Sequence, residues 1–581
     1  MNGWIQAGEA QQLREEGPKV IRGGIVVLYH EDEFHALDNR CPHLGFPLHM
    51  GSLCDGILTC HWHHARFDVC SGGTLDPWAD DVPMYDCKVD EGIVWVNPQP
   101  RGGNRAERYK ARLRSGLAQN IGLVIAKAVV GLLEAGVDET EIVGIGIDFG
   151  TKHRRQGWGS GLTILTAMAR VLPKLDKQGR ILALYQGLLH TARDCAGSSS
   201  RFLLEPLPGR DVPIERLAQW YRDCIEVRDT QGAERVLLTA IEAGADDTRL
   251  FSMLSTAVTD HFYMNGGHAL DFHNKAFEGL RFVRDENRSH VLAALVPMLG
   301  GASRSEELHS WMSPVNLVQP MKDAFEELLE AGGLSNSGQK KLDEESLLEQ
   351  LLSDDAVETI RFLKEALLDG ASPVRIAQIT ALAAAERIAR FHTQNDFGDW
   401  ISVLHTFTHA HAVHEGLARS ADPWLVRAIF HSAATIYLDR FLNIPSAARP
   451  TLKEDGSAAA AADLNELLEL LDKQQQVSQA AAWVFRYLRS GGDPGALFNT
   501  LGHALLREDA EFHSFQMYEA AVSEYDRWAE ESGPLAERAR ETILLALTRY
   551  LAAHAPTSRE TPHTARIAWR LHRGEKLFEE A

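Results

Sequence analysis

Four residues constrain the start of the chain more than any other feature: Cys41 and His43, then, after a gap of sixteen residues, Cys60 and His63, in the order Cys-x-His and Cys-x-x-His. Pro and Gly bound both pairs, so each reads as a loop, and the four can act together only if the fold brings those loops face to face. Thiolates and neutral imidazoles are metal ligands, and two of each would suit a tetrahedral zinc ion. Zinc knuckles tend to carry like ligands, however, whereas here each loop carries one Cys and one His. The mixed pairs also suit a centre in which both Cys bind one metal ion and both His a second. Five of the seven Cys precede residue 88, a clustering that favours metal ligation over a secreted disulfide framework. Cys54, Cys70 and Cys87 read as small strand residues.

The surrounding pattern is that of short strands. "GIVVLYHEDEFHALDN" sets an apolar strand, an acidic turn and an alternating strand in order, and "VPMYDCKVDEGIVWVNPQP" repeats the device. Residues 1–98 are therefore expected to form a small antiparallel β domain, with a Pro- and Gly-marked linker at 99–108. Within it, "CPH…CHWH" followed by "ARFDVCSGG" resembles a Rieske [2Fe-2S] domain of the soluble ferredoxin type. The resemblance implies a [2Fe-2S] cluster with Cys41 and Cys60 on one iron and His43 and His63 on the other.

After the linker the periodicity becomes helical, and the fold class expected is an all-β head followed by a large all-α, internally repeated body. One phrase recurs four times: "LLEAGVDETEI", "AIEAGADDTRL", "LLDGASPVRI" and "LRSGGDPGAL". Each ends a helix at Gly136, Gly244, Gly370 or Gly491 and opens another behind a cap at Asp138, Asp246, Ser372 or Asp493. The helical domains are expected at 109–334, with repeats 1 and 2, and at 350–581, with repeats 3 and 4, on either side of a polar linker at 335–349. Seventeen residues after each stop Gly stand His153, His261, Arg387 and Glu508, and the recurrence suggests a shared centre.

Histidine is frequent in the body, and several copies sit on apolar helices: "FHN" at His273, "LHT" at His405, "FHS" at His513, and "GHAL" at both His268 and His503. His405 and His409 stand at i, i+4, a spacing that lets two imidazoles reach one metal. His261, His273, His405, His409 and His513 are therefore the candidate second metal or active site, with a second iron as its cofactor; hydrogen-bonded core histidines are the competing reading. The phrase "HTFTHAHAVHEGL" resembles questin-oxidase-like helical proteins. "GIGIDFG" has dinucleotide-loop spacing but no βαβ setting, and reads as helix packing; "GWGSGL" reads as an interhelical loop.

A formal charge of -21, from 59 basic and 80 acidic residues, argues against nucleic acid and against an anionic membrane surface. With no apolar run of transmembrane length, the expectation is a cytoplasmic chain able to form homo-oligomers. The function expected is an oxidoreductase, monooxygenase- or dioxygenase-like. In it an external reductase or ferredoxin feeds the head, and the head feeds a histidine-rich site that oxidises a small organic substrate. The alternatives are an electron-transfer head on a scaffold that docks a separate oxidoreductase, and a redox sensor.

The resemblance also bears on potential. High-potential Rieske proteins carry an extra Cys in each loop, where this chain has Phe46 and Trp62, and a Ser and a Tyr hydroxyl near the cluster sulfurs, where it has Ala65 and Phe67. Hydrogen bonds to the sulfurs stabilise the more negative, reduced state, so their absence lowers the potential. Voltammetry is expected to place it toward the low end of the Rieske range, roughly -150 mV; a value well above zero refutes this.

Overall fold

Both expected hairpins form. In this computed structural model, which describes residues 3–102, 104–208, 212–331, 342–420, 422–451, 463–575 and 577, the head contains nine strands: β1 (Ile5–Glu9), β2 (Lys19–Ile21), β3 (Ile25–His30), β4 (Glu33–Asp38), β5 (Ser52–Cys54), β6 (Ile57–Thr59), β7 (Arg66–Asp68), β8 (Met84–Asp90) and β9 (Ile93–Pro100). The turns of the β3–β4 and β8–β9 hairpins place Glu31, Asp32, Glu91 and Gly92 at positive φ, the geometry that matches the twist of tightly turned strands. An antiparallel sheet of order β1-β9-β8-β4-β3-β2 is accompanied by a smaller one, β5-β6-β7. Period-two alternation sorts the side chains: Val26, Leu28 and Leu37 pack with Leu58 and Phe67, while Ile25, Val27 and Ala36 pack with Val94 and Val96.

The linker expected at 99–108 is shorter than its composition suggests. Strand β9 runs through Pro100, and a helix begins at Arg105 behind Asn104, whose side chain accepts from the Ala106 N–H. Contacts divide the chain into one unit of Met1–Ile142 with Thr561–Ala581 and a second of Val143–Glu560. The first unit thus adds to the β head the helices Arg105–Gln119 and Gly122–Glu134 and a C-terminal helix, Glu560–His572, most of which belongs to it. There Arg40 Nη2 donates to the Leu571 carbonyl at 2.8 Å. This division differs from the expected helical halves, because one unit runs from Val143 to Glu560. Of the polar linker expected at 335–349, residues up to 341 lie outside the described residues; from Glu344 the chain is the helix Glu344–Leu351, capped by Asp343.

In the helical body, the recurring phrase is a physical device. Gly136, Gly244, Gly370 and Gly491 all take positive φ, between 75° and 88°. Around each, the next residue's N–H reaches back five positions, as from Val137 to the Leu132 carbonyl and from Ala371 to that of Ala366, which closes the preceding helix. Asp246, Ser372 and Asp493 then accept the first free N–H groups of the next helix. The residues seventeen further on fall near the C-terminal ends of these new helices and do not share a centre. His153 bonds the Phe149 carbonyl, His261 pairs with Glu306, Arg387 holds the carbonyls of Ile436 and Leu352, and Glu508 binds Arg559 and Thr557.

"GIGIDFG" lies within the helix Glu139–Lys152, and a Cβ on Gly144 would stand 2.3 Å from the Phe282 carbonyl oxygen: these glycines serve packing, as expected. No helix among the described residues is long and apolar enough to cross a membrane. Helices Ser160–Val171 and Lys177–Cys195 also approach closely, and a Cβ on Gly161 would lie 2.5 Å from the His190 carbonyl oxygen and 2.8 Å from Thr191 Cα. Backbone cannot yield as a side chain does, so Gly161→Ala is expected to lower stability by about 1–3 kcal/mol, read as an earlier denaturation midpoint at unchanged m-value.

Candidate metal centres

The two ligand loops of the head are built alike. In the first, the Cys41 N–H donates to the Phe46 carbonyl and the Gly45 N–H to that of Cys41, both at 2.8 Å. In the second, the Cys60 N–H donates to the Ala65 carbonyl at 2.8 Å and the His64 N–H to that of Cys60 at 2.9 Å. Four residues after each Cys the backbone crosses to positive φ, at Gly45 (88°) and His64 (62°). Two matching turns thereby present one Cys and one His each.

The side chains meet as the sequence expects. Cys41 and Cys60 are buried and share a sulfur hydrogen bond; that contact, reinforced by burial, pushes the Cys41 thiol up, while the same contact holds Cys60 down. The rings of His43 and His63 stand 4.9 Å apart at 88°. Burial, with Lys127 and His63 nearby, holds His43 down to about 4, and burial also lowers His63. Nδ1 of His43 is buried without a hydrogen-bond partner, an expensive state unless a further group takes the lone pair. Two adjoining sulfurs, two neutral imidazoles and one orphaned nitrogen fit a [2Fe-2S] cluster. Ala65 and Phe67 are fully buried beside it and carry no hydroxyl. The rings of Phe46 and Trp62 lie 6.0 Å apart.

In the body, the five expected histidines separate. His405 and His513 come together, Nε2 to Nε2 at 2.9 Å, and His268, which the sequence offered only as part of a repeated "GHAL", completes a group whose ligand nitrogens all lie within 4.8 Å of one another. His409 faces Ser432, to which its Nδ1 bonds at 2.9 Å. His273 is fully buried with Nδ1 on the carbonyl of Ala269, four residues back, and His261 lies between Glu306 and Glu226. These three are hydrogen-bonded core or ion-paired histidines, each with its own partner.

Glu511 orients the three-histidine group. It is the N-cap of the helix Phe512–Ala529, taking the N–H groups of His513 and Ser514, and it also accepts from His513 Nδ1 at 2.6 Å. Burial would raise its carboxyl, but bonds from His513 and Ser514 bring it down to about 2, so it is ionised. With Nδ1–H committed to Glu511, His513 offers its Nε2 lone pair toward His405. Burial holds His268 down to about 4 and His405 to about 3, so both are neutral. Metal bonds of about 2.1 Å in a tetrahedral shell would set these nitrogens about 3.4 Å apart, a modest adjustment from the spacing observed. Glu511, Ser514 and His554 also line a cavity of about 180 Å³.

A second buried cluster, Glu278, His411 and Glu519, has ligand-type atoms but already holds cations. Lys275 Nζ reaches Glu278 at 3.0 Å and also bonds Glu519; Arg170 reaches the same two carboxylates at 2.6 and 3.2 Å. His411 donates through Nδ1 to Glu524 at 2.8 Å, and hydrogen bonding and nearby carboxylates raise it despite its burial. Arg527 binds Glu415 at 3.2 Å. The four carboxylates Glu278, Glu415, Glu519 and Glu524 thus face the cations Arg170, Lys275 and Arg527, with His411, whose proton they help to hold, beside them. In the sequence Glu278 and Glu519 follow His273 and His513 at offsets of five and six residues, and nothing marks Lys275 as their partner.

Residues 3–86 match the family described as Rieske [2Fe-2S] domain. Human apoptosis-inducing factor 3 is 36% identical over 89 residues, 15% of this chain and 15% of that protein. The ferredoxin component of the naphthalene 1,2-dioxygenase/salicylate 5-hydroxylase systems of Ralstonia sp is 35% identical over 98 residues, 16% of this chain and 93% of that protein. Among solved structures, a chain of the complex of reduced oxygenase and oxidized ferredoxin in carbazole 1,9a-dioxygenase aligns with 25% identity over 17% of this chain and 97% of its own, at a TM-score of 0.17. The chain therefore spans about 15% of the length of the apoptosis-inducing factor relatives it matches.

Removing the central cation tests the ion-network reading of the second cluster. Lys275→Met takes away one of the two cations bonded to both Glu278 and Glu519 and leaves them to Arg170, and a loss of about 3–5 kcal/mol is expected in chemical denaturation. Adding divalent metal to that variant should not restore it if the cluster is a structural ion network.

Proposed function

Because the chain belongs, through residues 3–86, to the Rieske [2Fe-2S] family, we propose that it is an oxidoreductase whose head passes single electrons to a metal held by His268, His405 and His513, for oxygen-dependent oxidation of a small organic substrate. Bound by Cys41, His43, Cys60 and His63, a [2Fe-2S] cluster supplies one-electron transfer. A reductase or a ferredoxin is the donor in this reading, a role consistent with a relative named as the ferredoxin component of dioxygenase systems.

The observation that carries the second centre is the convergence of three imidazoles with one of them fixed by a carboxylate. His268 and His405 are held neutral by burial, and Glu511 aims His513. To ligate, His405 gives up the proton it shares with His513 Nε2, and its ring must carry hydrogen on Nδ1 instead. Glu511 also joins the site to the cavity of about 180 Å³ that it lines with Ser514 and His554, a route by which protons can enter and leave. Iron is favoured over zinc because an electron delivered at the head needs a redox-active acceptor.

Iron analysis decides this. Three irons per chain are expected, and the double variant His405→Ala/His513→Ala should retain the two cluster irons and their visible spectrum while losing the third. Glu511→Gln should weaken retention of that iron about 10–100-fold. Two irons in the unaltered chain would sink the second-centre reading and leave an electron-transfer head on a helical scaffold.

A further inference from the structure

Lys127 lies outside the matched segment 3–86, on the helix Gly122–Glu134, yet its ammonium reaches the first ligand loop. Nζ donates to the carbonyl of Pro42 at 2.6 Å and to that of His43 at 2.8 Å, and stands 3.4 Å from Asp80 Oδ2. Only 11% of the side chain is exposed. Three oxygen acceptors around one nitrogen call for three N–H groups, which an ammonium has and a neutral amine lacks. The residue is therefore a fixed positive charge, and its helix is what delivers it.

Asp80 does not cancel that charge. The same carboxylate takes Arg112 Nε at 2.7 Å, and Arg112 Nη2 further holds the carbonyls of Ala79 and Pro77 at 2.9 and 3.1 Å. One anion is shared between two cations, which leaves a surplus of one positive charge against the loop of Cys41 and His43. Lys127, Asp80 and Arg112 line one cavity of about 470 Å³ with Cys41 and Pro42; Asp38, Arg40, Asp81, Arg105 and Arg108 also border it.

We propose that Lys127 is a positioning residue that sets the reduction potential of the head, its buried charge stabilising the added electron and drawing the potential above the value the ligand loops alone would give. The inference rests on the cluster assignment made above. The step is the gain of one electron from an external one-electron reductant, without bond making, so the stabilisation is purely electrostatic and acts on the reduced state more than on the oxidised one. Because the ammonium is shielded from solvent, added salt should screen its effect far less than that of a surface lysine. With no hydroxyl at Ala65 or Phe67, a nearby charge is a lever that the loops themselves do not supply.

The test is a dithionite redox titration of the full chain carrying its cluster, followed by visible absorption and electron paramagnetic resonance. Lys127→Gln is expected to keep the [2Fe-2S] spectrum and titrate at a lower potential, Lys127→Arg to stay near the unaltered chain, and Asp80→Asn, which removes the shared anion, to shift upward. The Lys127→Gln shift should persist in high salt. Unmoved potentials in Lys127→Gln and Asp80→Asn, or shifts of the same sign in both, overturn the inference with the cluster assignment intact. Should Lys127→Gln fail to hold a cluster, the upward shift of Asp80→Asn still decides, since a purely structural clamp predicts none. An unaltered chain without a [2Fe-2S] spectrum overturns the ligand assignment itself.

Discussion

Burial decides which histidines of this chain can act as ligands. An imidazole taken out of water without a carboxylate beside its free nitrogen loses its proton, because the charged form cannot recover its lost solvation. That is the condition of His43, held down to about 4, and of His268 and His405, held down to about 4 and 3. His411 is buried more deeply still but lies against Glu524, with Glu519 beyond, and is raised. The same residue type thus gives up its proton readily in one place and holds it more tightly in another, and the partner carboxylate makes the difference.

That sorting shapes the helical body. The Phe397–Arg419 helix carries both kinds: His405 turns toward His513 and His268, while His411 and His414 share Glu524. A buried network of carboxylates and cations is costly to assemble and costly to break, since each ion has given up water for one fixed set of partners. It therefore specifies how the helices of Arg170, Lys275, His411 and Glu519 meet, more than it stabilises them. The three-histidine group is the complement: burial holds His268 and His405 neutral, no Lys or Arg among the described residues is bonded to it, and a carboxylate orients it on one side. Where ligand-type atoms converge twice in one fold, the absence of an internal counter-cation distinguishes the pair.

The head was legible because its information is local. Ligand spacing lies within twenty-five residues, strands alternate with period two, and Gly45 and the Pro-bounded loops announce turns, so Cys41, His43, Cys60 and His63 could be read straight from the chain. In the body, the stop-and-cap phrase was equally legible, as the four positive-φ glycines attest. What the phrase implied at a distance was not. His153, His261, Arg387 and Glu508 recur because polar groups suit the last turn or the end of a helix, and helices of 13 to 17 residues bring the same offset there. The i, i+4 pair His405 and His409 does not close on one point because the neighbouring helices offer each ring its own partner, His513 for the first and Ser432 for the second. Glu511 was hidden because a capping carboxylate and an orienting one look the same in sequence.

The potential of the head illustrates the boundary between what ligand loops specify and what the rest of a chain adds. Ala65 and Phe67 remove hydrogen bonds that would favour the reduced state, and loop residues alone therefore argue for a low value. Lys127, sixty residues from the nearer hydroxyl-free position, acts in the opposite direction and is invisible to any reading confined to the loops, because nothing in "GLVIAKAVVGLLE" marks its lysine as different from a solvated one. Only the fold shows that its ammonium is spent on the carbonyls of Pro42 and His43. Two effects of opposite sign then set one number, the first written in the ligand loops and the second supplied by a helix that lies outside the matched segment 3–86. A chain that carries its electron-transfer head on a larger body can in this way adjust the driving force for transfer without altering a single residue that touches the ligands' side chains.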